Sequence, residues 1–329
     1  MLARNRILIH IALIPLYISI AFQLNLLPPA ITTRLSSLLR LARTNLRAQY
    51  SKALIHTETT IPSPSSMALQ FIPRKSEERG HADHDWLKTF HTFSFAMYHD
   101  SKHQLYGSLR VINEDRVAPR TGFGTHSHRE FEIFSYVVAG ELEHKDSMGN
   151  TEILRRGDVQ LTSAGTGISH SEKAHGSKQV HFLQIWSMPS QARLEPKYFT
   201  RHFSDEEKKD KWVRVVAPVD APGVTSTREG EGPAPVQSPL TLYSTILSPG
   251  QRLELPLQGS KGYIHVIQTS GYNPQSANGA TVVATAKGSE ELTLREGDGA
   301  YIRVAKSGTV MAVSNDGDRT AEVLAFDLD

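Results

Sequence analysis

GFGTHSHREFEIFSYVVAGELEH, residues 122–144, carries a fold signal and a chemical signal in one stretch. EIFSYVV (132–138) is a short run of β-branched and aromatic residues closed by Ala139-Gly140, the mark of a strand that ends in a turn. Ahead of it, His126 and His128 stand one residue apart. Side chains at i and i+2 of a strand share a face, so the two imidazoles converge on one point inside a β structure. Gly122 and Gly124 let the chain bend just before them.

The same grammar recurs outward from this stretch. SLRVI (108–112), GDVQL (157–161), VHFLQIW (180–186), LTLYSTIL (240–247), YIHVI (263–267), TVVATA (281–286), AYIRV (300–304), TVMAV (309–313) and AEVLAF (321–326) are short, apolar and bounded by Gly, Asn, Asp or Pro. Such spacing predicts an all-β protein of barrels or sandwiches, not alternating βαβ units. The runs form two groups, about 108–187 and 240–328. Between them lie a charged stretch, SDEEKKDKW (204–212), and a Pro/Gly-rich one, APVDAPGVTSTREGEGPAP (217–235). The expected organisation is one β domain over 67–190, a linker with a surface loop over 191–239 and a second β domain over 240–329.

Residues 1–66 differ from the rest. Ile7–Phe22 is almost wholly apolar and is marginal in length for a membrane span. Seven Lys/Arg and one acid, Glu58, occur before residue 67. The chain totals of 36 and 34 then leave 29 basic and 33 acidic residues, a net of −4, in 67–329. This segment reads either as a targeting or anchor sequence or as an extension upstream of a start at Met67. The first reading places the protein in the mitochondrion or at a membrane, the second in the cytoplasm or nucleus. The mildly acidic remainder offers no footprint for direct nucleic-acid binding.

The 329 residues include 15 histidines and no cysteine. That excludes disulfides, thiolate ligands and cysteine nucleophiles, and leaves His, Asp and Glu for any metal site. RRGDVQLTSAGTGISHSEKAH (155–175) repeats the logic of the first stretch, with His170 and Glu172 again at i and i+2. Two pairs on adjacent or facing strands give three imidazoles and one carboxylate. This set suits Fe, Mn, Ni or Cu, with zinc the poorer fit, and leaves open positions on an octahedral ion.

In HDWLKTFHTFSFA (84–96), NEDRVAP (113–119), GFGTHSHREFEIFSYVV (122–138), HKDSMGN (144–150), GDVQLTSAGTGISHSE (157–172), FLQIWSMP (182–189) and GDGAYIR (297–303), the chain resembles the pirin branch of the cupin superfamily. The resemblance spans 67–329. It implies a bicupin, two antiparallel β-barrels packed face to face, with a single Fe ion in the first barrel held by His126, His128, His170 and Glu172. The general cupin pattern would instead offer Glu132 as the carboxylate. The pirin pattern leaves Glu132 to orient an imidazole and gives Glu130 no role. His265 alone on an apolar strand reads as a core residue, so the second barrel is expected to be metal-free. His81, His84, His91 and His103 lack paired spacing, and His144 falls in the HKDSMGN turn. All five default to structural or solvent positions.

The resemblance further implies quercetin 2,3-dioxygenase-type activity, with a flavonol and dioxygen as substrates and Glu172 as general base. Other pirin-like proteins act as metal-dependent transcriptional cofactors through protein contacts. The strongest basic cluster in 67–329, EEKKDK (206–211), is of mixed charge and reads as a solvated loop.

Overall fold

Short runs of three to nine residues, rich in β-branched and aromatic types, build the strands, and the central ones are buried on both faces. The computed structural model describes residues 68–329, and the expectations for 1–66 lie outside them. The described residues form twenty-two strands in four sheets. One large sheet runs, in spatial order, β12 (Lys197–His202), β9 (Asp158–Ser163), β6 (Glu132–Ala139), β11 (Val180–Ser187), β4 (Leu109–Val117), β3 (Leu87–His91), β2 (Gly80–Asp83). A small sheet, β5 (Gly122–His128), β10 (Ile168–Ala174), β7 (Glu141–Asp146), β8 (Thr151–Arg155), completes the first barrel. The second barrel repeats the plan. Its large sheet is β1 (Leu69–Arg74), β20 (Gly299–Val304), β17 (Lys261–Val266), β22 (Ala321–Leu328), β15 (Leu240–Leu247), β13 (Val213–Pro218), β14 (Ala234–Val236). Its small sheet is β16 (Arg252–Leu257), β21 (Thr309–Ser314), β18 (Thr281–Ala286), β19 (Leu292–Arg295). Each strand from β4 to β11 thus has a counterpart eleven places later, from β15 to β22. The described chain is a bicupin of mainly antiparallel sheets, as its sequence resemblance implied, with β13 and β14 alone paired parallel among the described strands.

Strand membership crosses the segments drawn from sequence. β1 precedes the first barrel in the chain but pairs with β20 of the second, from Leu69↔Val304 to Arg74↔Gly299. The segment 191–239 is not simply a linker. Its β12 closes the edge of the first barrel against β9, while β13 and β14 belong to the second. Each barrel therefore has an edge strand supplied from beyond its own repeat, which covers ladder groups that would otherwise be open. The charged stretch after β12 forms the one-turn helix α1 (Asp205–Lys208), capped by Ser204, whose hydroxyl accepts from Glu207 N.

The two large sheets face each other. Phe134, Tyr136, Leu161, Leu183 and Ile185 from the first pack with Val216, Leu242, Tyr263, Leu324 and Phe326 from the second in one apolar layer. From Val111 onward β4 alternates, with Ile112 in this layer and Val117 inside the first barrel, so Glu114 is carried to the interface. Its carboxylate accepts from His181 Nε2 (3.0 Å), His265 Nε2 (3.2 Å), Gln268 N (2.8 Å) and Arg79 (3.3 Å). Burial alone would raise the Glu114 pKa. The His181 and His265 hydrogen bonds and the Arg79 charge outweigh it and hold the group well below its usual value. A second buried cluster joins Tyr136 Oη to Glu322 (2.5 Å), Ser244 (2.8 Å) and Lys208 (3.0 Å).

Candidate metal centre

The first barrel's small sheet brings the sequence pairs together. His126 lies directly opposite His170 in the β5–β10 ladder, and His128 lies opposite Ile168. The rings of His126, His128 and His170 stand 4.6–4.8 Å apart, centroid to centroid, and their ligand nitrogens all lie within 4.8 Å of one another. Gly122 is needed for this approach, because a Cβ there would collide with the carbonyl of Glu172 on the neighbouring strand.

Glu172 is placed differently. The β5–β10 register shifts between His170 and Glu172, so Glu172 faces Phe123 where strict pairing would give Gly124. The bulge returns Phe123 to the inner face and sets the carboxylate beside a different group, His144 and His170. Its Oε1 accepts from Ser135 Oγ (3.1 Å) and its Oε2 from Gln184 Nε2 (3.0 Å). Gln184 Oε1 in turn accepts from Trp186 Nε1 (3.2 Å).

Glu132 does not orient an imidazole. The chain reverses its facing at Glu130, which has φ 59°, so strand parity does not carry through from His128. Glu132 accepts from Ser163 Oγ (2.6 Å) and Gln237 N (3.1 Å), away from the histidines. Ser135 and Gln184, unmarked in the sequence, support the carboxylate instead. His144 lies on β7, not in a turn, opposite Glu172 in the ladder and fully buried between the rings of His170 (5.2 Å) and Tyr198 (5.0 Å). His265 is a buried core residue, its Nε2 on Glu114 and its Nδ1 without a partner.

The nitrogens fit a metal ion. His126 Nδ1 donates to Gly124 O (2.8 Å), which leaves its Nε2 as a lone pair. That Nε2 lies 3.1 Å from His170 Nε2, while His128 Nε2 is buried with no partner. Two nitrogens bound at right angles to one ion at about 2.1 Å would lie about 3.0 Å apart. At most one hydrogen bond can form among these three atoms, whereas one ion satisfies all of them. Burial, reinforced by the neighbouring imidazoles, lowers His128 to about 4 and His170 to about 3, so both are neutral ligands at pH 7.

A cavity of about 480 Å³ opens over His126 and His128. Trp86, Phe95, Phe123 and Trp186 form aromatic walls, and Thr89, His91, Asn113, Asp115 and Gln184 are the other polar side chains lining it. His91, assigned no role from sequence, holds Asn113 Oδ1 through Nδ1 at 2.8 Å. Burial, with the charges of Glu172 and Glu114 adding to it, raises the Asp115 carboxyl to about 7. A cavity of about 530 Å³ elsewhere contains none of the histidines, so size alone does not mark the site.

A family model described as Pirin matches residues 73–187. The quercetin 2,3-dioxygenase of Escherichia coli K12 is 49% identical over 131 residues, 40% of this chain and 57% of that protein, so the match spans little more than half of the relative. A Zymomonas mobilis protein with a provisional quercetin 2,3-dioxygenase name is 37% identical over 241 residues, 73% of this chain and 93% of that one. The crystal structure of the bacterial pirin YhhW from E. coli in complex with nickel(II) superposes with a TM-score of 0.64 at 32% identity, covering 78% of this chain and 98% of that one. With the repeated barrels and the histidine cluster of the first already in place, these matches establish that the chain belongs to the pirin family.

Proposed function

We propose that the first barrel holds one divalent metal ion, iron(II) before Mn, Ni, Cu or Zn, through His126, His128, His170 and Glu172, and that the protein opens the ring of a flavonol such as quercetin with dioxygen. The observation that carries this reading is the aromatic-walled cavity of about 480 Å³ lined by His126 and His128. Enclosed clefts of this size suit a planar small molecule. A protein that used its metal only to reshape a docking surface for transcription partners would need no such cavity, which is why the enzymatic reading is preferred. The name of the E. coli relative and the nickel(II) complex of YhhW point the same way. Three imidazoles and a carboxylate without thiolate suit a borderline first-row metal.

When bound, the ion supplies a chelation point for the hydroxyl–ketone edge and the redox chemistry with dioxygen that no side chain offers. The chain's own residues do the rest. Trp86, Phe95, Phe123 and Trp186 take up the ring faces of the ligand. Glu172 accepts the phenolic proton, and Oε1 is the atom suited to it. Its partner, the Ser135 hydroxyl, can turn from donor to acceptor, whereas the Gln184 amide at Oε2 can only donate.

The test is oxygen uptake and carbon monoxide release by the full chain, loaded anaerobically with iron(II) and given quercetin. Turnover that disappears in His126→Ala/His128→Ala is the expected result. Tight iron binding with no oxygen uptake would remove the flavonol reaction from the account.

A further inference from the structure

We infer that Asp115, on the β4 wall of the cavity, is a specificity residue that receives a second hydroxyl of an aromatic ligand, so that the site prefers polyhydroxylated over monohydroxylated rings. The inference rests on the flavonol reading above and adds a subsite to it.

The argument is one of hydrogen-bond satisfaction. Asp115 is buried, 3% exposed, and lines the cavity; its Oδ1 makes no hydrogen bond of ordinary length, and the Thr89 hydroxyl, itself without another partner, lies beside the carboxyl. A buried carboxylate oxygen left in this state is costly unless something completes it. The two neighbouring amides, Gln184 and Asn113, are already engaged, and the one hydroxyl of Thr89 leaves the Asp115 carboxyl with further acceptor capacity. Gln184 spends its amide on Glu172 and its carbonyl on Trp186 Nε1. Asn113 Oδ1 is taken by His91 Nδ1. Asp115 is thus the acidic side chain of the lining that remains open to a donor, and a hydroxyl hydrogen is the donor a phenolic ring carries.

Its position on the fold gives the direction. Strand alternation on β4 sends Asn113 and Asp115 into the barrel, while Glu114 between them goes to the interface. β4 lies in the large sheet and β5, with His126 and His128, in the small one. The acceptor and the metal-facing nitrogens therefore sit on different sheets lining one cavity. A flat ligand anchored at the histidines presents another edge to Asp115. Trp86 and Phe123, in edge contact at 5.3 Å, and Phe95 and Trp186, at 5.5 Å, restrict that ligand to a slot.

The experiment uses the full chain loaded with zinc(II), which is redox-silent, so binding is read without turnover. Quenching of tryptophan fluorescence by quercetin and by 3-hydroxyflavone, which keeps the chelating edge but lacks the other hydroxyls, gives two dissociation constants. Wild type should prefer quercetin by about fivefold or more, the worth of one hydrogen bond. Asp115→Ala should abolish that preference and leave 3-hydroxyflavone affinity and zinc content unchanged. Asp115→Asn, equal in volume, keeps the comparison readable if the alanine variant folds poorly, and should retain only part of the preference. An unchanged ratio in both variants, equal weakening of both ligands, or no preference in wild type would overturn the subsite. Failure of wild type to bind either flavonol would instead count against the flavonol reading itself.

Discussion

The two barrels share a strand order and differ at the same places in it. Where the β5–β10 ladder pairs His126 with His170, the β16–β21 ladder pairs Leu255 with Met311. His128 has Leu257 as its counterpart, and Glu172 and His144 have Val313 and Ala284. The interiors follow suit. Sixteen buried apolar residues cluster inside the second barrel and eight inside the first. The same scaffold is thus used once for packing and once for chemistry, and the first barrel exchanges apolar burial for a row of polar groups around a cavity. Its stability must then come from the shared layer between the large sheets and from the barrel behind it.

The largest expected effect is at that shared layer. Glu114→Gln leaves Arg79 buried without its counter-charge and should cost about 3–5 kcal/mol in urea unfolding. A loss under about 1 kcal/mol would mean that the two barrels are not held together by this cluster. Met311→Ala, in the packing barrel, should cost about 2–5 kcal/mol and leave metal content unchanged. If metal content fell as well, the division of labour between the barrels would be wrong. Gln184→Leu, in the chemical barrel, reverses the pattern. It should weaken metal binding or turnover roughly ten- to hundredfold, because it frees the Glu172 carboxylate. Acid should act more gradually on the metal-free protein. His91, His128, His170, His181 and His265 are lowered below 6.5 in the folded state, chiefly by burial. The unfolded chain therefore binds more protons as pH falls below about 6.5, and stability declines from there. Glu114, held below 4.5, adds a further loss as pH falls through its folded value. A melting temperature that stays level from pH 7 to 5 would contradict this.

Much of this arrangement was written in local pattern. Strand alternation was enough to read the barrels and to put His126 and His128 on one face, because i and i+2 on a single strand need no tertiary information, whereas joining His170 to them rested on the sequence resemblance. Glu172 was only half legible. It shares the parity of His170, but the bulge in the β5–β10 ladder turns it toward His144, and a bulge depends on pairing with another strand. Ser135, Gln184, His144 and Asp115 were invisible for the same reason. Each comes from a separate strand and meets the site only when the barrel closes. A signal did exist in β4, where the polar run Asn113–Arg116 follows Val111-Ile112, and parity separates its members into cavity and interface. The crossed edge strands β1 and β12 left no local mark, since neither is near its partner in the chain.

The central claim is that the difference between the barrels is a difference in metal binding. The most direct test is metal content and affinity of the full chain after anaerobic loading with iron(II), beside His126→Ala/His128→Ala and Leu255→Ala/Leu257→Ala. One equivalent in wild type and in the leucine variant, and none in the histidine variant, is the result the account predicts. No bound metal in wild type, or equal retention in the histidine variant, would contradict it.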